Sequence, residues 1–416
     1  MPDDERQAHS ERIDDDMSAA LEHVSGFDDE VSRDGIFSMK WDVASGELPM
    51  WVADMDFRTA PAIREALAKR VENGTFGYTD VPAEFMRAVA QWWGRQYGMD
   101  VDPAHVTFVS GVVPAISSLV RSLTNVAEKV VIQPPVYNIF TNSIVNNGRR
   151  VLTNPLKYEH GRYAIDFDDL EEKLADPLAR LMIVCNPHNP TGNVWSREDL
   201  AHIGELCAKH DVTVVSDEIH CDVIRPGMTH TPFAAASETN RRISVTCSSP
   251  SKAFNTAGLH SAYFFADDAG LRARAVRGVN TDEVAEPNDF AVQTLIAAYT
   301  DGADWLRRLN AVVQRNKDYA AEQLAAHAAG LTPAPSDATY LLWIDCSRLL
   351  DEAGDTTAER FCDYLREHTG LALSYGGIYG VNGERFVRMN LGTRADLVVD
   401  GVGRLIAGAR DYVGHR

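Results

Sequence analysis

Three polar residues, each close behind an apolar run, set the chemistry open to this sequence. Lys252 lies in Ser248-Ser249-Pro250-Ser251-Lys252-Ala253-Phe254-Asn255, upstream of it stand Asn189-Pro190-Thr191-Gly192 and Ser216-Asp217-Glu218-Ile219-His220. An unpaired carboxylate at the end of a buried strand is costly unless it meets a cation, and a protonated pyridine nitrogen is such a cation. A lysine amine beside two hydroxyls offers a nucleophile next to phosphate donors. The ordered set Asn189, Asp217, Lys252 therefore suits a lysine that forms a Schiff base with an aldehyde cofactor whose ring nitrogen meets Asp217. That pattern points to pyridoxal 5'-phosphate, whose ring can absorb the electron pair of a substrate carbanion.

Taken singly, the pieces are weaker. A lone Ser-x-Ser-Lys reads as a solvated lysine, and Asp217 alone could be a helix N-cap. Ser110-Gly111-Val112-Val113 opens a helical pattern after an apolar run, which would aim backbone N–H groups at a phosphate, yet an ordinary strand-to-helix turn looks the same. In Asn186-Pro187-His188-Asn189-Pro190 two X-Pro steps predict an extended loop presenting Asn189. Glu218 and His220 lie near Asp217 without a third ligand at metal-like spacing, so no metal site is expected.

The elements that must hold these residues follow from periodicity. Apolar runs at Val106 to Val109, Lys129 to Gln133, Leu181 to Cys185, Val212 to Ser216, Ile243 to Cys247 and Ala262 to Phe265 alternate with amphipathic stretches. Strands apolar at nearly every position belong to a largely parallel sheet covered on both faces by helices, and in such sheets ligands sit beyond the carboxyl ends of strands. Leu200, Ile203, Leu206 and Cys207 recur at helical spacing. A long helix over Asp304 to Ala329 and strand-like runs Thr339 to Ile344 and Phe386 to Leu391 describe a second unit. The fold class is thus α/β: a large cofactor-binding domain with a mostly parallel sheet over 56–300, and a smaller α+β domain over 301–416 joined by segment 27–55.

At 416 residues the chain exceeds the usual span of one core. Its net charge of -20 argues against nucleic acid or an anionic membrane as partner. Residues 1 to 34 carry 12 acidic and 3 basic side chains, and residues 1–26 are expected to be a disordered acidic extension. Six cysteines without a C-x-x-C pair read as buried thiols in a reducing compartment. With no apolar leader or run of about 20 apolar residues, a cytoplasmic location is expected.

With these motifs in hand, the chain resembles the fold-type I pyridoxal phosphate enzymes, the aspartate aminotransferase superfamily, and within it the bacterial cystathionine β-lyase or cysteine-S-conjugate β-lyase group. Further phrases carry the likeness: Leu48-Pro49-Met50-Trp51-Val52-Ala53-Asp54-Met55-Asp56-Phe57, Phe76-Gly77-Tyr78-Thr79 and Pro134-Pro135-Val136-Tyr137. The resemblance implies that Lys252 is the Schiff-base lysine and base, and that Tyr137 stacks on the ring. It implies that Asn189 bonds the ring hydroxyl, Asp217 pairs with the ring nitrogen, and Ser249, Ser251 and the amides of Gly111, Val112 and Val113 hold the phosphate. It further implies a homodimer in which Tyr78 reaches the neighbouring subunit's cofactor, and a substrate carboxylate gripped by Arg388. From the residues alone, Arg385 or Arg394 serve almost as well.

Two positions depart from the aminotransferase pattern. His220 stands three residues beyond Asp217 where many aminotransferases have tyrosine, and His260 replaces an arginine. The first matches the C–S lyase group and places His220 among the cofactor contacts. The expected activity is therefore cleavage of L-cystathionine or other S-substituted cysteines to a thiol, pyruvate and ammonia. The alternatives are an aminotransferase of the same fold and, in another class, a regulator that retains fold and cofactor.

Overall fold

A computed structural model describes residues 21–32, 35–328 and 330–414. The acidic extension expected over 1–26 lies outside the described residues as far as position 20. The chain divides into two compact units: Thr59–Arg308 with Asp337–Thr339, and the remainder, made of the described residues up to Arg58, Leu309–Ser336 and the stretch from Tyr340 onward.

The larger unit is built on seven strands, β1 (Val106–Val109), β2 (Lys129–Ile132), β3 (Arg150–Thr153), β4 (Ala179–Cys185), β5 (Thr213–Asp217), β6 (Ser244–Ser248) and β7 (Ala262–Phe265). Their order is β1-β7-β6-β5-β4-β2-β3. The pairs β2–β3, β2–β4, β4–β5 and β5–β6 are parallel, and β7 runs antiparallel to both β6 and β1. Six strands therefore end on the same edge of the sheet. One face buries Val130, Ile132, Leu181, Ile183, Val215 and Val245 against helices α1 (Val112–Leu123) and α3 (Ala269–Thr281). Those helices lie so close that a Cβ on Gly278 would stand 2.5 Å from Ser122 Oγ, so glycine at that position sets their spacing.

Helix α2 (Arg197–Lys209) begins in a capping box, Ser196 accepting from Asp199 N–H while the Asp199 side chain accepts from Ser196 N–H. Leu200, Ile203 and Cys207 are fully buried, as their spacing requires. Each large aliphatic chain so buried contributes about 1.5–3 kcal/mol. All six cysteines are buried free thiols.

In the second unit a four-stranded antiparallel sheet has the order β8 (Thr332–Pro333), β9 (Leu341–Asp345), β11 (Phe386–Asn390), β10 (Ser374–Tyr375). Arg388, near the middle of β11, faces Trp343 on one side and Ser374 on the other. Leu48–Pro49 pairs in parallel with Leu371–Ala372. The core combines these strands with α5 (Glu359–Thr369) and α6 (Ala395–Gly414) through Phe361, Leu365, Val398, Val402 and Leu405.

Several boundaries differ from expectation. Asp217 and Ser248 are the last residues of their strands rather than the first residues beyond them, because ladder bonding to the neighbouring strands continues one step past the apolar run. The strand expected to begin at Thr339 begins at Leu341. The long helix α4 covers Ala303–His327, ending before the expected Ala329, which is outside the described residues.

Candidate active site

Predicted positions that follow five different strands gather at one edge of the large sheet because those strands end there. β5 delivers Asp217, β6 leads into Ser249 to Lys252, β4 into Asn189, β2 into Tyr137 and β1 into Gly111. The register places Cys185, Asp217 and Cys247 side by side on adjacent strands. The Asp217 carboxylate thus points into the sheet face between two thiols rather than into water.

Asp217 is 4% exposed. Its backbone is held on both sides, Asn186 N–H donating to Asp217 O at 2.9 Å and Glu218 N–H to Cys247 O at 2.8 Å. Its carboxylate accepts from Ile219 N–H at 3.1 Å. Burial outweighs that bond and the attraction of the Lys252 ammonium, with the Glu218 charge adding to the upward push, so its pKa rises to about 7. A carboxylate this reluctant to ionise is one that a cation would stabilise.

The loop after β4 does not run extended as its prolines suggested. Both Asn186–Pro187 and Asn189–Pro190 are cis, and the loop folds back on itself, Gly192 N–H donating to His188 O at 2.8 Å and His188 N–H to Asn193 O at 2.9 Å. Asn189 is buried, its N–H donating to Cys185 Sγ. His188, unassigned by the sequence reading, is buried with Nδ1 against Thr191 Oγ1 at 2.9 Å, and burial lowers its pKa to about 3, so it stays neutral.

Gly111 is the N-cap of α1 and provides no side-chain cap. The first-turn N–H groups of the helix, Val112 and Val113 among them, face outward at the end of β1, where an anion is favoured. Ser249 Oγ donates to Ser261 O at 2.6 Å and accepts from Ser251 N–H at 3.0 Å. Its proton is committed to the fold, which leaves Ser251 as the hydroxyl of the pair better placed to donate to a ligand. His220 is buried and His260 exposed. Tyr137 is half-buried, edge-on to Phe140 at 5.8 Å. Tyr78 is fully exposed, in the loop between helices Pro61–Asn73 and Ala83–Tyr97.

Arg388 belongs to the second unit. It is 5% exposed, its Nη2 donates to Trp51 O at 2.9 Å and its guanidinium lies 4.8 Å from the centre of the Tyr379 ring. Arg385 is instead tied to Ser347 O and Asp351, and Arg394 to Asp396. That burial and backbone anchoring separate Arg388 from the two arginines that sequence alone could not rank below it.

A half-buried lysine with a buried acid and amide at parallel strand ends, beside an uncapped helix N-terminus, defines a class of cofactor enzyme. Consistent with that geometry, residues 45–399 match the model of the aminotransferase class I and II family, and the chain belongs to this family. It is 43% identical over 92% of its length to cystathionine beta-lyase PatB of Bacillus subtilis (strain 168), covering 99% of that protein. It is 33% identical over 91% of its length to protein MalY of Escherichia coli (strain K12), covering 97% of it. Among solved structures it is similar to the PLP-bound C-S lyase of Staphylococcus hominis complexed with L-cycloserine, at TM-score 0.87 and 32% identity over 92% of this chain and 99% of that one.

Proposed function

We propose that this protein is a pyridoxal phosphate-dependent C–S β-lyase that converts L-cystathionine or another S-substituted L-cysteine, with water, to a thiol, pyruvate and ammonia. The observation that carries the reading is the buried Asp217 carboxylate within electrostatic reach of Lys252, in a chain 43% identical to a cystathionine beta-lyase. The residues present fit the cofactor. Asp217 lacks the full counter-charge that its burial demands, which a pyridinium supplies, and the helix end at Gly111 supplies N–H groups for a phosphate.

Bound there, pyridoxal phosphate supplies the electron sink for the pair left when the substrate Cα loses its proton. Lys252 Nζ would hold the cofactor covalently, and its free amine would take the Cα proton as general base. Asp217 would keep the ring nitrogen protonated, Asn189 would donate to the ring hydroxyl and Tyr137 would cover the ring. His220, buried three residues past Asp217, lines the same strand-end turn. The N–H groups of Gly111, Val112 and Val113 and the Ser251 hydroxyl hold the phosphate, with Ser249 fixing the turn that carries Ser251. Arg388 grips the substrate carboxylate through a two-pronged contact. Tyr78, fully exposed in this chain, would reach the cofactor phosphate of the partner in a homodimer and, with Tyr137, would orient the reacting groups.

The enzyme works in the cytoplasm, on a small amino-acid substrate rather than nucleic acid or a membrane. Among the described residues no helix is long and apolar enough to cross a membrane. Purified protein given pyridoxal phosphate and L-cystathionine is expected to release pyruvate with no keto acid added. Strict dependence on a keto-acid acceptor would reassign it as an aminotransferase, and binding of a protein partner with no turnover on S-substituted cysteines would make it a regulator.

A further inference from the structure

Directly behind Asp217 lies a second carboxylate that the reaction does not use. Glu218 has a fully buried side chain. Its Oε1 accepts from Ser216 Oγ–H at 2.9 Å and from Phe233 N–H at 2.9 Å, and its Oε2 meets His230 Nε2 at 2.7 Å. Its carbonyl accepts from Ser248 Oγ–H at 3.2 Å and its own N–H donates to Cys247 O. One residue thus ties together β5, the end of β6 and the segment holding His230 and Phe233, across the turn that aims Asp217.

His230 Nδ1 is buried with no partner among the described residues, so the polar contact of the ring is Nε2 against Glu218 Oε2, and with Ser216 Oγ–H and Phe233 N–H on Oε1 the carboxylate is surrounded by groups that can donate to it, as an acceptor-only carboxylate requires. We infer that Glu218 is a positioning residue for the proposed cofactor site: it fixes the Asp217 turn and places a second buried negative charge behind it, which holds the cofactor's cationic ring protonated. The inference rests on the reading of Asp217 given above. Glu218 is already among the groups that push the Asp217 carboxyl upward.

Lys252 beside Asp217 and His230 on Glu218 are the basic groups at the two acids. Around Asp217 stand Lys252 and the protonated thiols of Cys185 and Cys247, whose pKa values burial raises. Around Glu218 stand His230, Ser216, Ser248 and the Cys221 thiol, which is likewise raised by burial. Asp222, four residues further on, is occupied by Trp92 Nε1 at 3.0 Å and by Tyr97 OH. A second buried carboxylate next to Asp217 adds to a field that favours a bound cation.

The test is the pH titration of the bound cofactor's visible absorption, together with the cofactor dissociation constant measured by adding pyridoxal phosphate to the apo-protein. Glu218→Gln removes the charge while keeping the side-chain length, and the midpoint is expected to fall by about one pH unit, with affinity weakened about tenfold. Ser216→Ala removes one neutral donor and is expected to leave the midpoint within about 0.2 unit. Should Glu218→Gln not fold, the double variant Glu218→Gln with His230→Asn carries the same loss of charge with an amide facing an amide. A midpoint unmoved in the charge-removing variant, or moved equally in Ser216→Ala, overturns the inference. A wild-type protein that takes up no chromophore at all overturns instead the site reading on which it rests.

Discussion

Two buried aspartates, one in each unit, show how differently the same side chain is used. Asp56 is 6% exposed and saturated: Lys40 Nζ stands 2.8 Å from Oδ2 and Trp41 Nε1 donates to Oδ1 at 2.8 Å. Asp217 is buried as deeply, yet its carboxylate receives a single backbone N–H and the more distant attraction of Lys252, and its pKa climbs to about 7. Burial alone therefore does not mark a functional acid. An acid whose burial exceeds the counter-charge its own fold supplies is the informative one.

The largest effect that can break this contrast is at the lysine. Lys252→Ala is expected to abolish the yellow chromophore and lower pyruvate formation by on the order of 10³-fold or more; spectra and a coupled pyruvate assay read both, and retention of either would contradict the assignment. Asp217→Asn is expected to cost on the order of 10²-fold in kcat while the protein stays folded. In the other unit, Lys40→Met leaves Asp56 as an uncompensated buried charge and is expected to cost about 3–5 kcal/mol of stability in denaturant unfolding, with the chromophore retained in the folded fraction. If the two substitutions exchanged these phenotypes, the distinction between the aspartates would collapse.

A subtler effect concerns pH. The folded pKa of Asp217 is raised above its unfolded value, so the folded apo-protein keeps a proton that the unfolded chain has released. The stability that this proton represents is complete below about pH 4 and is lost as pH rises towards about 7. The Tm of the apo-protein, compared with that of Asp217→Asn, is expected to fall over this window, and the difference is expected to shrink when pyridoxal phosphate is present. The smallest effect expected is at Tyr379. Replacing it by leucine removes the ring beneath Arg388, and a rise in KM of about threefold with kcat little changed is expected.

Much of this site was legible because its chemistry sits where buried strands end. Apolar runs located β1 and β7 to the residue and β2, β4, β5 and β6 to within a residue or two, since burial on both faces leaves few polar positions inside a strand; β3, at the sheet edge with no buried position, was missed. The loop around Asn189 was misjudged, because a proline restricts its predecessor without fixing whether the peptide bond is cis or trans. Arg388 could not be told from Arg385 and Arg394 by type; burial beside Trp51 and Tyr379 separates them, and burial depends on contacts distant in sequence. Glu218 and His230 went unassigned for the same reason. Twelve positions separate them in the chain, and neither stands at a spacing that announces a pair. A buried-looking acid next to Asp217 was the one signal available.

The setting of Arg388 constrains what the enzyme can accept. The guanidinium is fixed in the interior of an antiparallel sheet, braced by a backbone oxygen and by an aromatic face. If Arg388 grips the substrate as proposed, a fixed handle of this kind selects for one end of an amino acid and leaves its tail unread. A family of thioethers of differing length can then share a single catalytic apparatus, and a compound that presents the same α-carboxylate with no departing sulfur would compete with them all.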